Sequence, residues 1–392
     1  MTLISTTLAG NRSHTEASLN THPIITWTEA DEPHAARWRS ERGAAPPKRV
    51  LIADDQMTAD AAYRLACEGT ALLWRGDFQN ARQLLQAMAR RADRKPHKAP
   101  PTPGDAFNYY RQAQSQRARI LSMLLIPLDG DFGIPLRRAP DLRQACREAY
   151  GAGGETSVTA LRELLGIVGA HEWCKKGVEI PALGARIHPH YGVYSPVRGE
   201  YVELVAKAPL PSTALAFDIG AGTGVLAAVL ARRGVVHIVA TDQDPRALAC
   251  ARENIQRLGL ADRVEVVQAD LFPDGCAPLV VCNPPWLPAR PSSPLEHAVY
   301  DFESRMLHGF LNGLAAHLTP GGEGWLILSD LAEHLGLRAR DDLLKAIDAA
   351  GLKIVDRIDV RPRHPRAADE TDPLHAARAA EITSLWRLVK KA

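Results

Sequence analysis

The sequence lacks both long apolar runs and paired cysteines. Its 392 residues are 46% hydrophobic, but no run approaches the roughly 18 consecutive apolar residues of a membrane span. The N-terminus has no apolar region behind a positive start, so no secretory signal is predicted. The six cysteines form no C-x-x-C pair, which favours reduced thiols in a cytoplasmic protein over a disulfide or zinc framework. We therefore expect no membrane association and no metal.

The chain also lacks a charge excess, because 47 basic residues face 45 acidic ones and the net charge is +2. One stretch differs from the rest. Residues 82–119 contain many more Lys and Arg than acids, with Phe107, Tyr109 and Tyr110 among them. Such a patch could follow a phosphate backbone and stack on bases. A solvated helix face explains it as well, and both interpretations stay open here.

The most informative stretch is an apolar strand over residues 279–282 that leads directly into Asn283, Pro284, Pro285 and Trp286. Two prolines cannot continue a central strand, so the backbone is predicted to turn at the carboxyl edge of a sheet, where open α/β sheets bind ligands. The Asn283 amide oxygen and the Pro284 carbonyl can accept the two N–H groups of a planar amino group, and Trp286 can stack on it. An ordinary turn would explain the motif taken alone.

A glycine-rich loop occurs earlier in the chain. An apolar segment containing Asp218 is followed by Gly220, Gly222 and Gly224. Alternating glycines let a ligand approach the backbone and leave helix amides pointing at it. A dinucleotide fingerprint needs another glycine where Val225 stands, so the predicted ligand has no pyrophosphate.

Two further strands end near acids. Residues 237–242 end at Asp242, where a carboxylate can accept both hydroxyls of a ribose. Asp244 is predicted to be the N-cap of the next helix rather than a ligand. Residues 264–268 lead to Asp270, which could take the amino group of an adenine. The three strand ends together fit one adenosine.

These motifs, in this order, resemble the class I S-adenosylmethionine-dependent methyltransferases. The resemblance implies a Rossmann-like, doubly wound α/β sheet of seven strands, S-adenosylmethionine as cofactor and S-adenosylhomocysteine as product. Asn-Pro-Pro-aromatic marks the members that methylate a nitrogen on a planar carbon, either a protein glutamine amide or an exocyclic amine of adenine or guanine. The implied catalytic residues are Asn283, Pro284, Pro285 and Trp286. The implied cofactor-binding residues are Asp218, Gly220, Gly222, Gly224, Asp242, Asp270, Leu271 and Asn283.

The segment over residues 178–205 resembles the hairpin of the HemK/PrmC glutamine methyltransferases, which makes Pro196, Arg198 and Glu200 substrate-side candidates. It is nearly as close to the "methyltransferase small" domains of ribosomal RNA guanine enzymes. Trp286 departs from the tyrosine of the former and from the phenylalanine of many of the latter. The prediction leans to a glutamine in a translation factor-like protein, with an amine of an RNA or DNA base as the alternative. An inactive cofactor-binding module is the third possibility, and the intact Asn283 and Pro284 argue against it.

The chain is predicted to contain four segments. Residues 1–22 are expected to be disordered, 23–177 to form a mainly helical substrate-recognition domain, 178–200 a β-hairpin linker and 201–392 the catalytic domain. In the second segment, a strand at 50–52 and a proline-rich linker at 95–104 accompany the helices. These helices are predicted over residues 57–73, 77–92, 105–126, 139–149 and 156–175. The charged loop over residues 361–380 is long enough to be mobile or functional.

Overall fold

The computed structural model describes residues 22–94, 100–291, 294–362 and 369–391. Two large sheets organise these residues, one of six strands in the N-terminal part and one of seven strands in the C-terminal part. The predicted disorder falls almost entirely on residues 1–21, outside the described residues, as does part of the proline-rich linker. Within the described ranges, no helix has the length and apolar character needed to cross a membrane.

The N-terminal sheet is covered by helices on one face. Its strands are β1 (Ile24–Glu29), β2 (Glu32–Arg39), β3 (Arg49–Ala53), β4 (Thr70–Trp74), β5 (Leu124–Leu128) and β6 (Ser157–Ala160), in the spatial order β1-β2-β6-β5-β4-β3. The helices are α1 (Ala59–Cys67), α2 (Phe78–Ala92), α3 (Pro103–Leu121), α4 (Arg143–Tyr150) and α5 (Leu161–Lys176). Trp74, Phe78 and Met88 belong to the core under the helices. A smaller cluster around Trp38 and Leu125 fills the other face.

This sheet corrects the prediction of a mainly helical segment with hardly any strand. The five helices are observed close to their predicted positions, but strands β4, β5 and β6 overlap or lie within residues that were predicted to be helical. Every residue of β5 is buried. A strand buried on both faces shows no polar alternation, and a short one cannot be distinguished from the end of an apolar helix by its pattern.

A short hairpin and a helix connect the two sheets. Strand β7 (Val178–Ile180) pairs antiparallel with β8 (Ala185–Ile187), and helix α6 (Glu200–Lys207) follows. The hairpin predicted within residues 178–200 is therefore observed, and it spans residues 178–187. The N-cap of α6 is Gly199, so Glu200 is the first helical residue.

The C-terminal sheet has the spatial order β11-β10-β9-β12-β13-β15-β14. Its strands are β9 (Leu215–Ile219), β10 (His237–Asp242), β11 (Val264–Gln268), β12 (Ala277–Cys282), β13 (Leu318–Ser329), β14 (Leu352–Val360) and β15 (Thr383–Lys390). The helices are α7 (Val225–Arg232), α8 (Pro245–Arg257), α9 (Arg305–His317), α10 (Leu331–His334), α11 (Arg340–Ala349) and α12 (His375–Ala380). The last strand, β15, runs antiparallel to both of its neighbours. The predicted doubly wound sheet of seven strands is confirmed.

Strand β13 is long and irregular. It begins at Leu318, and its register against β12 shifts where Pro320, Gly321 and Gly322 lie. The predicted long loop over residues 361–380 ends in helix α12, while residues 363–368 lie outside the described residues.

The position of β12 explains its apolar sequence. Leu279 and Val281 belong to the core on one face of the sheet, and Val280 and Cys282 belong to the core on the other. A central parallel strand is buried on both faces and therefore carries no polar alternation. The strand delivers Asn283 to the carboxyl edge of the sheet, beside the ends of β9 and β10.

Candidate active site

The glycine loop between β9 and α7 is held in a left-handed conformation. Gly220, Gly222 and Gly224 have φ angles of 76°, 54° and 78°, values that only glycine adopts at little cost. The amides of Gly220 and Ala221 both donate to the Thr241 carbonyl, at 2.9 and 2.8 Å. The loop is thereby fastened to the neighbouring strand β10.

Asp218 lies beneath this loop and is almost completely buried. Its Oδ2 accepts a hydrogen bond from the Ala227 amide at 2.9 Å. Burial raises the pKa of Asp218 to about 7, and the charge of Asp242 acts in the same direction. The carboxyl group therefore contacts the first turn of helix α7, which directly follows the glycine loop.

Asp242 lies between the glycine loop and helix α8. Its Oδ2 accepts from the Gly222 amide and its Oδ1 from the Asp244 amide, both at 3.0 Å. Burial raises the pKa of Asp242 as well. Asp244 caps α8 by accepting from the Arg246 amide, as predicted. The Asp242 carboxylate is thus fixed in place at the strand end.

The turn after β11 completes this side of the edge. Asp270 is exposed, and Leu271 has a φ of 72°, which is strained for a residue with a side chain. The Thr241 hydroxyl donates to the Leu271 carbonyl, and the Ala269 amide donates to the Asp242 carbonyl. Thr241 therefore links the glycine loop and the Leu271 turn. This role was not predicted, because neither partner is close to Thr241 in the sequence.

Asn283 and Trp286 contact each other at the end of β12. The Trp286 Nε1–H donates to the Asn283 Oδ1 at 2.9 Å. Asn283 is half-buried and Pro284 is buried. The Trp286 ring packs against the core on both faces of the sheet. The motif therefore forms a turn in which the Trp286 indole holds the Asn283 amide oxygen.

Arg198 lies over the ring of Trp286, with its guanidinium carbon 4.9 Å from the ring centroid. Its Nε donates to Glu200 and its Nη2 to Glu381, both at 2.9 Å. Burial lowers the pKa of Arg198, but the charges of Glu381 and Glu200 outweigh that effect and raise it overall. The predicted residue Arg198 is thus brought to Trp286, and the predicted residue Glu200 pairs with Arg198.

Pro196, Glu381 and Ser329 also belong to the surroundings of Arg198. Pro196 is buried and precedes Arg198 in the segment that leads into α6. Glu381 also accepts from the Ser329 hydroxyl at 2.6 Å. Glu381 and Ser329 were not predicted, because they lie far from the hairpin in the sequence and carry no recognisable motif.

The N-terminal part of the chain contacts the segment that follows Trp286. Arg111 of α3 donates to the Arg290 carbonyl at 2.6 Å, and its guanidinium lies 4.2 Å from the Tyr300 ring centroid. Phe107 packs in one apolar cluster with Leu287 of the same segment. Helix α3 therefore forms part of the wall beside the Asn-Pro-Pro-Trp turn.

The basic stretch over residues 82–119 is partly neutralised. Arg91 pairs with Asp60 at 2.6 Å, and Arg117 pairs with Asp93 at 2.7 Å. Phe107 is buried and cannot stack on a base. Arg90 and Arg94 are exposed. Within the described ranges, no three His, Cys, Asp or Glu side chains are grouped in a way that could hold a metal ion.

Residues 186–339 match the family described as "Methyltransferase small domain". The tRNA1(Val) (adenine(37)-N6)-methyltransferase of Shewanella loihica is 32% identical over 178 residues, which are 40% of this chain and 72% of that protein. The chain belongs to the class I S-adenosylmethionine-dependent methyltransferases. Other relatives of this methyltransferase carry different names. The release factor glutamine methyltransferase of Cereibacter sphaeroides is 32% identical over 42% of this chain, and the ribosomal protein L11 methyltransferase of Pelotomaculum thermopropionicum is 35% identical over 36% of it.

This chain matches less than two thirds of the length of two of these relatives. The alignment spans 63% of the glutamine methyltransferase and 39% of the L11 methyltransferase. The names of these three relatives describe acceptors of different chemistry, two proteins and one tRNA. Family membership therefore fixes the class of reaction and leaves the acceptor of this methyltransferase open.

Proposed function

We propose that this chain transfers the methyl group of S-adenosylmethionine to a planar amino nitrogen, and that the acceptor is the side-chain amide of a glutamine in a protein. The observation that carries the proposal is the position of Asn283. Its amide lies at the end of the central strand β12, next to the end of β9 and the glycine loop. A methyl donor and a planar amine can meet at such a place.

The residues of the turn can hold the acceptor. A carbonyl oxygen has two lone pairs, and Trp286 occupies one of those on the Asn283 oxygen. The second lone pair and the Pro284 carbonyl are available for the two N–H groups of the amine. The lone pair of an amide nitrogen is delocalised, so the nitrogen is a poor nucleophile. Fixing both N–H groups lets it pyramidalise and places it in line with the methyl group, which lowers the barrier.

The strand ends fit the cofactor. A Cβ placed on Gly222 would meet no atom within 4 Å, so the loop leaves open space for a ligand. Asp242 offers carboxylate oxygens to ribose hydroxyls beside this space. Asp270 would face the adenine, and Gly220, Gly222 and Gly224 would border the methionine end, with Asp218 supporting the loop. The bound cofactor would supply an activated methyl group, so the protein need not supply a nucleophile.

Two observations favour a protein acceptor. Arg198 of the HemK/PrmC-like segment lies over the Trp286 ring and pairs with Glu200 of the same segment. The basic stretch that would support a nucleic acid is partly neutralised by Asp60 and Asp93, and its Phe107 is buried. A relative named as a release factor glutamine methyltransferase is consistent with this choice.

An exocyclic amine of an RNA base is the second candidate. The same two acceptors at Asn283 and Pro284 would hold an adenine amine equally well. The relative named as a tRNA adenine methyltransferase is matched over 72% of its length, more than the glutamine enzyme of Cereibacter sphaeroides. This candidate shares the chemistry and differs in the partner.

The test is methyl transfer from labelled S-adenosylmethionine into separated protein and RNA fractions of cells. We expect label in protein, and we expect Asn283→Ala to reduce single-turnover transfer at saturating cofactor at least ~100-fold, because it removes a preorganised group at the reacting centre. Asn312→Ala, on the exposed surface of α9, is the matched control and should not change the rate. Label confined to RNA would select the second candidate. An Asn283→Ala rate within a few-fold of the parent would contradict the assigned chemistry.

A further inference from the structure

A continuous series of contacts leads from Glu381 to Asn283. Glu381 accepts from Arg198, Arg198 lies on the ring of Trp286, and the indole of Trp286 donates to Asn283. The Arg198 and Glu381 side chains are 15% and 0% exposed. Neither is therefore placed to bind a large substrate directly, although Arg198 was expected on the substrate side of the site.

The last contact of the series determines how the Asn283 amide is oriented. An indole nitrogen can only donate a hydrogen bond, so the group that faces it must be the amide oxygen and not the NH₂. The second lone pair of that oxygen is then fixed in direction. A tyrosine or phenylalanine in place of Trp286 would have no indole N–H to do this.

The middle contact requires arginine. A guanidinium is planar, stacks on an aromatic face and presents its donors in a fixed fork, whereas an ammonium has neither the plane nor the fork. Arg198 uses the fork for two carboxylates, Glu200 and Glu381, while its face covers Trp286. The positive charge above the ring also strengthens the indole N–H as a donor.

The first contact anchors Arg198 to the sheet. Glu381 shortly precedes β15, and its Oε1 accepts from both Arg198 and the Ser329 hydroxyl at the end of β13. Ser329 in turn accepts from the Leu331 amide at 3.0 Å. The guanidinium is therefore held both by Glu200 of its own segment and by Glu381 next to β15.

We propose that Glu381 and Arg198 are positioning residues that fix the plane of Trp286 and, through its indole N–H, the orientation of the Asn283 amide. The consequence of this arrangement for turnover rests on the proposed function, whereas its consequence for the indole does not. Both consequences can be measured on the full-length protein.

The structural test follows the indole N–H signals of ¹⁵N-labelled protein by NMR, with the Trp286 signal identified by its loss in Trp286→Phe. Arg198→Lys and Glu381→Gln should each shift or broaden that signal. The Trp74 indole, which donates to the Asp77 carbonyl in the N-terminal sheet, should keep its position and so report intact folding. Arg357→Lys is the matched control, because Arg357 lies 5.0 Å from the Trp386 ring and pairs with Asp359. It should move the Trp386 signal and leave that of Trp286 unchanged.

The functional test measures methyl transfer into the cell protein fraction. Arg198→Lys and Glu381→Gln should each lower kcat by about 10-fold, the scale of a stacked cation, with KM for S-adenosylmethionine within about 2-fold. Combining either variant with Trp286→Phe should lower kcat little further, because all three substitutions act through one contact.

Two outcomes would overturn the proposal. One is a Trp286 signal that moves in neither single variant, and the other is an unchanged kcat although the signal has moved. If no fraction accepts methyl groups from the parent, the proposed function fails, and the NMR result still decides whether Glu381 and Arg198 position the indole.

Discussion

Three aspartates that the sequence treats alike lie in different surroundings. Asp218, Asp242 and Asp270 each stand at or near the end of a strand, and all three were predicted to bind the cofactor. Asp218 is buried under a helix, Asp242 is half-buried between two backbone amides, and Asp270 is exposed. A motif predicts that an acid is present at a strand end, but burial decides whether it supports the loop or faces a ligand.

The buried state of Asp218 predicts a dependence of stability on pH. Its pKa is raised from 3.8 to about 7 in the folded protein, mainly by burial. A raised pKa means that its contribution to stability is fully present below pH 3.8 and is lost as the pH rises through about 7. The loss has a slope of at most about 1.4 kcal/mol per pH unit.

Asp218→Asn removes this titration, while the amide oxygen can still accept from Ala227. The free energy of unfolding of the variant, measured with urea at several pH values, should therefore rise relative to that of the parent between about pH 4 and pH 7. Asp270→Asn, at an exposed position, is the control. Parallel curves for Asp218→Asn would contradict the raised pKa of this carboxyl group.

Asp242 is predicted to carry the ribose contact. Asp242→Ala should weaken the binding of S-adenosylhomocysteine by about 1–3 kcal/mol, because two hydroxyls would lose a buried acceptor. Asp244→Asn is the matched control, since an asparagine preserves the cap of α8 while removing the neighbouring charge. Isothermal titration calorimetry decides, and equal affinities for Asp242→Ala and the parent would remove Asp242 from the cofactor site.

At the scale of elements, the predictable strands were those that end in a distinctive residue. Strands β9, β10 and β12 end at glycine, an acid and Asn-Pro-Pro, and each was placed correctly. Strand β2 contains Pro33 and two alanines, which are poor strand formers, and it pairs near the edge of its sheet. Its sequence shows no alternation, so its pairing with β1 and β6 depends on contacts that local patterns do not encode.

The glycine loop allows strain and ligand contact to be separated. Gly222 and Gly234 both have positive φ, and a Cβ on either would meet no atom within 4 Å. Each substitution by alanine should therefore destabilise the fold by a similar amount, roughly 1–2 kcal/mol. Only Gly222→Ala should also weaken the binding of S-adenosylhomocysteine, because its methyl group would enter the space left for the ligand. Equal affinities in the two variants would show that the open side of Gly222 does not face the cofactor.

At the scale of the whole molecule, the contacts that the sequence could not reveal are those between distant segments. Arg198 and Glu381 are 183 residues apart, and Arg111 and Arg290 are 179 residues apart. The spacing of the motifs predicted which strand ends form the cofactor side of the sheet, because the glycine loop, Asp242 and Asp270 end or follow consecutive strands. The residues around Trp286 come from a hairpin, a strand end and an N-terminal helix, so only the fold brings them together.

The partner class is decided at this scale too. Arg90 and Arg94 are exposed, whereas Arg91 already pairs with Asp60, so Arg90→Glu with Arg94→Glu probes the basic stretch without breaking that pair. For a protein acceptor, methyl transfer and its dependence on salt should stay within about 2-fold of the parent, since no phosphates are neutralised. Lys353→Glu with Lys390→Glu, on the exposed positions of β14 and β15, is the control for net charge.

If the acceptor is a nucleic acid, the affinity for ribosomal RNA fragments should fall steeply with salt. The slope of that dependence should decrease by about 0.7–0.9 for each phosphate that the Arg90 and Arg94 variant no longer neutralises. RNA would be the acceptor if the parent binds those fragments tightly and in a salt-sensitive way, and if this binding disappears in the Arg90 and Arg94 variant but not in the control.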